Sequence, residues 1–451
     1  MSEREATVEP RSASRVTGGS ILRNSIRLLV SRAVAGGAAF VAVLTLARGL
    51  EPADRGAVAF VLTTGFVVAA ISAFGFDQAT TIFAARRASE RRSLLANTLV
   101  VSIAGALVIA TAVVLAFAAV STFLPHSVGM VELAALGFGA VGSRVAMATV
   151  AYLNGCARFV AQAVASATPV ALLAAAFVFL WLAGELTVRS ACVAWAGSQI
   201  AGGCWGVVLA AHGEGISRPA FGLAREMLPF GLRAWPGTIA AFVNARIDQV
   251  VMGFIATEAA LGYYVVAVNA SDLALYVPSA AALAIVPSIT VAPVAERALM
   301  TARIFRVLVV LTVGVVAVSA LASPLVPVVF GAAYEPSVRP FLLLLPGAVA
   351  FVPLTIFGTA LLASSAPGRG SVGPVAALVV GVPLDVLLIP AYGAEGAAIA
   401  ASAAFTTGGL VTMALFVRLT RLDARSLTPR RRDVAEMARL VLCARRRDRR
   451  S

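Results

Sequence analysis

Three charged residues stand where an apolar stretch should tolerate none. They are Arg246 and Asp248 in LPFGLRAWPGTIAAFVNARIDQVVMGF, and Asp272 in the following EAALGYYVVAVNASDLALYVPSAAALAIVPSI. A charge at the centre of a membrane-spanning helix costs roughly 2.5–3.5 kcal/mol on insertion scales, so such residues face a protein interior or a wet cavity. Polar side chains recur beside them. On a continuous helix Asn244 and Asp248 share a face, and Arg246 aligns instead with Gln249. Asn269, Asp272 and Tyr276 follow i, i+3, i+7 spacing and make one stripe. Arg144 lies mid-span, Asp385 lies well inside a late apolar run, and Arg32 and Asp77 lie toward the ends of theirs. One chemistry for this set is recognition of an anionic group. Arg144, Arg246 and Arg32 would offer guanidinium forks, which bind phosphate oxygens bidentately and stay ionised. Asn244, Gln249, Asn269 and Tyr276 would complete the cavity wall. Asp248, Asp272, Asp385 and Asp77 are then counter-ions or carriers of a coupled proton or sodium ion. The competing reading pairs these arginines and aspartates across helices as packing, with no charge left for a substrate.

No metal or cofactor chemistry competes. Cys156, Cys192, Cys204 and Cys443 are scattered, and His126 and His212 fall in loops on opposite sides of the expected membrane. No G-x-x-x-x-G-K-[ST] occurs, so no ATP site is expected.

The elements that must position these residues follow from composition. At 451 residues, 60% hydrophobic and 13% charged, the chain is a polytopic membrane protein and all-α. All 36 basic residues are arginine, and the net charge is +14. With a cytoplasmic N-terminus and a crossing at each apolar run, 29 arginines fall on the cytoplasmic side and three inside spans. Only Arg48, Arg55, Arg189 and Arg339 fall in outer loops. That asymmetry is the positive-inside pattern, with both termini cytoplasmic. Nucleic acid is excluded as a partner because the basic tail has no aromatic residue for stacking.

Twelve spans are expected, at about 26–47, 57–76, 96–118, 130–153, 161–183, 189–211, 230–255, 259–283, 304–330, 338–364, 371–390 and 394–417. Residues 1–20 form a disordered tail, 21–211 a first six-helix lobe, 212–229 a cytoplasmic linker with an interfacial stretch, and 230–417 a second lobe. The Arg-rich tail 418–451 contains DVAEMARLVLC (433–443), to be read either as a short helix on anionic lipid or as part of a solvated tail that only fixes topology. An internal repeat supports the division. LARGLEPADRGAVAF (46–60) resembles GFIATEAALGYYVVA (253–267), with Ala53 and Gly56 corresponding to Ala259 and Gly262 at a constant offset of 206. Six spans per half return the chain to its starting side, so the lobes would be related by a pseudo-two-fold along the membrane normal.

LARGLEPADRGAVAF resembles the LGPxxxG entry to the second helix of polysaccharide and O-antigen flippases. These belong to the multidrug/oligosaccharidyl-lipid/polysaccharide exporter superfamily. The stretch 228–289, with N-x-R-x-D-Q at 244–249 and the Gly-Tyr pair at 262–263, is similar to that family's seventh and eighth helices. VVFGAAYEPSVRPFLLLLPG (328–347) and LIPAYGAEGAAIAASA (388–403) resemble its later connections. The resemblance implies an alternating-access flippase in a bacterial cytoplasmic membrane. Its substrate would be a polyprenyl-pyrophosphate-linked oligosaccharide, and its partners membrane lipid, a polysaccharide polymerase and glycosyltransferases. Lipid II flippases of the superfamily carry a more cationic cavity in their first two helices, whereas residues 33–47 and 57–76 here hold no charge. Ion-coupled drug exporters are the nearer rival, since Asp248 or Asp272 could receive a cationic drug. A membrane-embedded polymerase or glycosyltransferase would need a substantial loop with acidic ligands; the longest outer loop, about 119–129, is nearly uncharged.

Overall fold

The computed structural model describes residues 18–120, 129–291, 294–362 and 367–428, with side chains from residue 34 onward apart from scattered positions. It is helical throughout, with no strand among the described residues. In chain order the helices are α1 (Gly18–Gly49), α2 (Pro52–Ile71), α3 (Phe76–Arg86), α4 (Arg91–Val120), α5 (Met130–Gly155), α6 (Phe159–Leu182) and α7 (Val188–Ala211). There follow α8 (Phe221–Asn244), α9 (Ile247–Ile255), α10 (Glu258–Val291), α11 (Val294–Leu321), α12 (Leu325–Phe330), α13 (Val338–Leu362) and α14 (Val372–Thr420). Every span expected from the sequence overlaps a helix. By length and composition alone, eight described helices qualify as membrane spans, or nine when the bent pair α8–α9 counts as one. His126, Cys443, the N-terminal tail, the stretch 433–443 and the side chains of Arg32 and Tyr276 lie outside the described residues.

Several spans are interrupted, and each break has a local cause. A straight 49-residue helix would be about 74 Å long, against a hydrocarbon core of about 30 Å, so α14 folds back on itself. It does so at Gly393, whose φ of 54° and ψ of −125° suit only a residue without a Cβ. This is the gap expected between residues 390 and 394. The second expected span likewise ends at a turn, after which α3 runs on to the arginine cluster at 86–92. The linker expected at 212–229 is shorter than the sequence suggests, because its second half is the first part of α8. Asn97 clamps the junction by donating to and accepting from the backbone of Ala220 (2.9 and 2.8 Å).

Helices α2 and α5 are largely buried, whereas α4 and α11 are mostly exposed on the outside of the bundle. Trp195 of α7, wholly buried, wedges between α2 and α5. The two halves meet most closely where α2 crosses α10. A Cβ on Gly56 would run into the Glu258 carbonyl, and one on Gly262 into that of Pro52. These are the two glycines of the sequence repeat, so its two copies pack against each other. Thr63 of α2 extends the join by donating to Gln249 Oε1 of α9 at 2.9 Å.

The arginine clusters share one end of the bundle. There Arg87 donates to Glu226 at 2.7 Å and Arg91 to Glu214 at 3.4 Å, tying the first half to the start of the second. At the opposite end Arg48 and Arg55, expected in an outer loop, belong to helices instead. Arg48 ends α1, and Arg55 is buried in the first turn of α2, 2% exposed, donating to the Val43 carbonyl at 3.2 Å.

Candidate functional site

The seventh expected span breaks in its middle. Ala245 and Arg246 donate their backbone N–H groups three residues back, to Phe242 and Val243 (3.2 and 2.9 Å), which tightens the last turn of α8. Arg246 then leaves helical geometry (φ −144°) and its carbonyl starts α9. The segments on either side are inclined at 52°. The helical phase assumed from the sequence therefore does not run from Asn244 to Gln249. Asn244, Arg246 and Asp248 all reach one cavity, while Gln249 turns away to Thr63.

That cavity holds about 340 Å³ and is walled by the α8–α9 break, α10, α13 and α14. Its lining is confined to the C-terminal half and does not include the crossing between halves. The walls are mostly apolar, with Leu344, Phe351, Leu354 and Phe405 prominent, and Ser271, Thr355 and Thr359 add hydroxyls. Arg246 Nη2 lies 3.7 Å from Asp272 Oδ2, and the two side chains are 37% and 31% exposed. The pair is long, and the remaining guanidinium N–H groups have no partner among the described residues. Asp248 is held closely. One oxygen accepts from the backbone of Gln249 at 2.7 Å, and the other takes a short hydrogen bond from the Tyr264 hydroxyl. Asp385 of α14 is 2% exposed, within electrostatic reach of Asp248, and its Oδ1 lacks a hydrogen-bond partner among the described residues.

Other expected site residues lie elsewhere. Arg144 is wholly buried and ion-paired to Asp77, with a weaker bond to the Ala69 carbonyl at 3.4 Å. It spans the turn between α2 and α3 and lines neither cavity. Asn269 faces a second cavity beside Phe40 and Phe330, so the stripe expected from Asn269 to Asp272 divides between two sites. Outside the membrane spans, the hydrogen bond from Arg87 to Glu226 raises the guanidinium pKa above its ordinary value.

A family profile described as polysaccharide biosynthesis protein matches residues 21–292. The chain belongs to the polysaccharide biosynthesis protein family. No curated protein matches the sequence. Among solved structures the fold is similar to lipid II flippase MurJ in an inward closed conformation (TM-score 0.67, 11% identity, covering 90% of this chain and 89% of that one). It is also similar to a multidrug resistance MATE family transporter of the MOP superfamily, inward-facing (TM-score 0.61, 14% identity, 88% and 98%). A MOP superfamily transporter from Pyrococcus furiosus gives a TM-score of 0.55 at 14% identity, covering 89% and 95%. The protein is thus a multi-pass membrane protein of the exporter fold, and the proteins it is similar to are transporters.

For this polysaccharide biosynthesis protein, sequence reasoning missed Tyr264 and the hydroxyls of Thr355 and Thr359. Tyr264 is separated from Asp248 by the rest of α9 and the turn into α10, so no spacing rule links them. A phenol inside an apolar span was the available signal. Arg55 was missed for another reason: arginine near a Pro-containing helix start looks like a loop residue until its burial is seen.

Proposed function

We propose that the chain is an alternating-access flippase that carries a polyprenyl-pyrophosphate-linked oligosaccharide across the bacterial cytoplasmic membrane for surface polysaccharide biosynthesis. The carrying observation is the loose Arg246–Asp272 pair in a partly open, otherwise apolar cavity. A guanidinium 3.7 Å from its counter-ion, in a pair about a third exposed, keeps donors available to a phosphate oxygen. The cavity volume suits the charged linkage and adjoining apolar groups, and the sugars then require the halves to part. Asp248, Tyr264 and Asp385 form the neighbouring acidic cluster to which ion or proton coupling is assigned. The arginine-rich end faces the cytoplasm, as the charge asymmetry requires.

The test is export of surface polysaccharide in cells carrying Arg246→Ala or Asp272→Ala. Both are expected to abolish it at normal protein level, and undiminished export in both would overturn the reading. One observation favours a second reading, an ion-coupled multidrug exporter: Asp272 is a partly exposed carboxylate facing Phe351 and Phe405, a setting that also suits a cationic amphiphile. Drug susceptibility that rises on deletion, with polysaccharide unchanged, would favour it.

A further inference from the structure

The second cavity, about 210 Å³, is formed by α1 together with α10, α11, α12 and α13. It lies toward the end of the bundle opposite the arginine clusters. Phe40, Ala322, Val326, Val329 and Phe341 make an apolar wall, and Asn269 contributes an amide with no hydrogen bond to the described residues. The rim opens to the lipid-facing surface, where Phe40 is 44% and Leu325 56% exposed. Arg48 stands above it on the same helix as Phe40. Its Nε donates to the Val329 carbonyl at 2.9 Å and its Nη2 to that of Val328 at 2.8 Å, the otherwise unsatisfied acceptors at the end of α12. Val329 thus belongs both to the cavity wall and to the cradle of the guanidinium. Arg48 is exposed, Nη1 remains unpaired, and no carboxylate lies within ion-pair distance among the described residues. Along α1 the rise from Phe40 to Arg48 is about 12 Å. A fixed cation therefore overlooks a lipid-accessible apolar cavity at the depth of an attached chain.

We infer that this cavity binds a single-chain lipid phosphate, the polyprenyl phosphate moiety of the carrier, with its chain against Phe40 and Phe341 and its phosphate at Arg48. A single narrow cavity under one guanidinium suits one chain and one phosphate better than a two-chain phospholipid. The inference rests on the proposed flippase reading and deepens it: the site lies in the leaflet into which the carrier is delivered.

The experiment is photo-crosslinking of the purified full chain in nanodiscs, using a polyprenyl phosphate with a diazirine near its phosphate end. Competitors are unlabelled polyprenyl phosphate, uncharged polyprenol and phosphatidylglycerol. Labelled peptides are expected from α1 and α12. Arg48→Gln should lower labelling about tenfold, the equivalent of one charge-assisted hydrogen bond. Ala322→Phe, which fills the cavity without touching the charge, should lower it similarly. Phosphatidylglycerol should compete poorly, and polyprenol less well than polyprenyl phosphate. Wild-type labelling in both variants, or equal competition by phosphatidylglycerol, overturns the inference. The competition result does not depend on how the variants fold. If Arg246→Ala abolishes export while Arg48→Gln and Ala322→Phe label as wild type, the inference fails and the flippase reading stands.

Discussion

Two arginine–aspartate pairs illustrate how burial decides what the same chemistry does. Arg144 has no exposed side-chain surface and is closed against Asp77, whereas Arg246 and Asp272 each keep about a third of theirs. Removing one partner of a closed pair leaves a bare charge in a low dielectric, which typically costs 3–5 kcal/mol, while removing both is much milder. Arg144→Met is therefore expected to lower stability by about 3–5 kcal/mol, and Arg144→Met with Asp77→Leu to recover most of it. Thermal unfolding in detergent checks this, and equal melting of single and double variants would dismiss the pair as a structural tie. Arg246→Met should shift the melting point little and act on export instead. Arg55 makes a third case. It is buried, its Nε has no partner, and no carboxylate pairs with it among the described residues. Arg55→Met should thus be neutral or stabilising in the same unfolding measurement. A marked loss of stability there would mean that its bond to the Val43 carbonyl outweighs desolvation.

At the scale of elements, the crossing of α2 and α10 joins the halves through backbone contact at Gly56 and Gly262. A methyl group there has no space, and overpacking of this kind costs about 1–3 kcal/mol unless the helices separate. Gly262→Ala is accordingly expected to loosen this end of the bundle. A cysteine placed at Thr63, buried beneath the crossing, should then react faster with a thiol reagent than in the parent background. Gly231→Ala perturbs the opposite end, where Gly231 lies against the turn at Gly75, and should not produce that increase when reagent enters from the α2–α10 side. Equal labelling in parent and Gly262→Ala would show that this crossing is not the seal. The glycines themselves were legible in the sequence, since the repeat offset identifies them as equivalent. That they meet was not legible, because a repeat states equivalence and says nothing of contact. The break at Arg246 was hidden for a related reason. Asn244, Ala245 and Arg246 include neither proline nor glycine, and the residues that share the cavity with the break belong to α13 and α14, about a hundred residues or more away in sequence. Helical periodicity could name the polar residues but not their common face. Gly393 is the opposite case, a break announced by its own residue and found where the spans were expected to divide.

At the scale of the molecule, charge asymmetry sets the orientation on which the assignment of leaflets depends. Arg87–Glu226 and Arg91–Glu214 gather the arginine-rich turns at one end, and Arg48 with its α12 carbonyls marks the other. Arginine is hard to move across a bilayer held at a negative-inside potential, so the end with the clusters is expected on the cytoplasmic side. Two exposed residues report on this. Glu185 lies in the turn between α6 and α7, away from the clusters, and Arg218 lies in the segment between α7 and α8, beside them. Glu185→Cys should react with a membrane-impermeant maleimide in intact cells, and Arg218→Cys only after permeabilisation. The reverse pattern would turn the molecule over. The cavity under Arg48 would then open to the cytoplasmic leaflet, where it would receive the carrier lipid before transport rather than after. Labelling of both residues from outside would have a different meaning, since an odd number of crossings would then separate the halves of the repeat. The same orientation expected for the two halves could not survive that, and with it would go the pseudo-two-fold along the membrane normal.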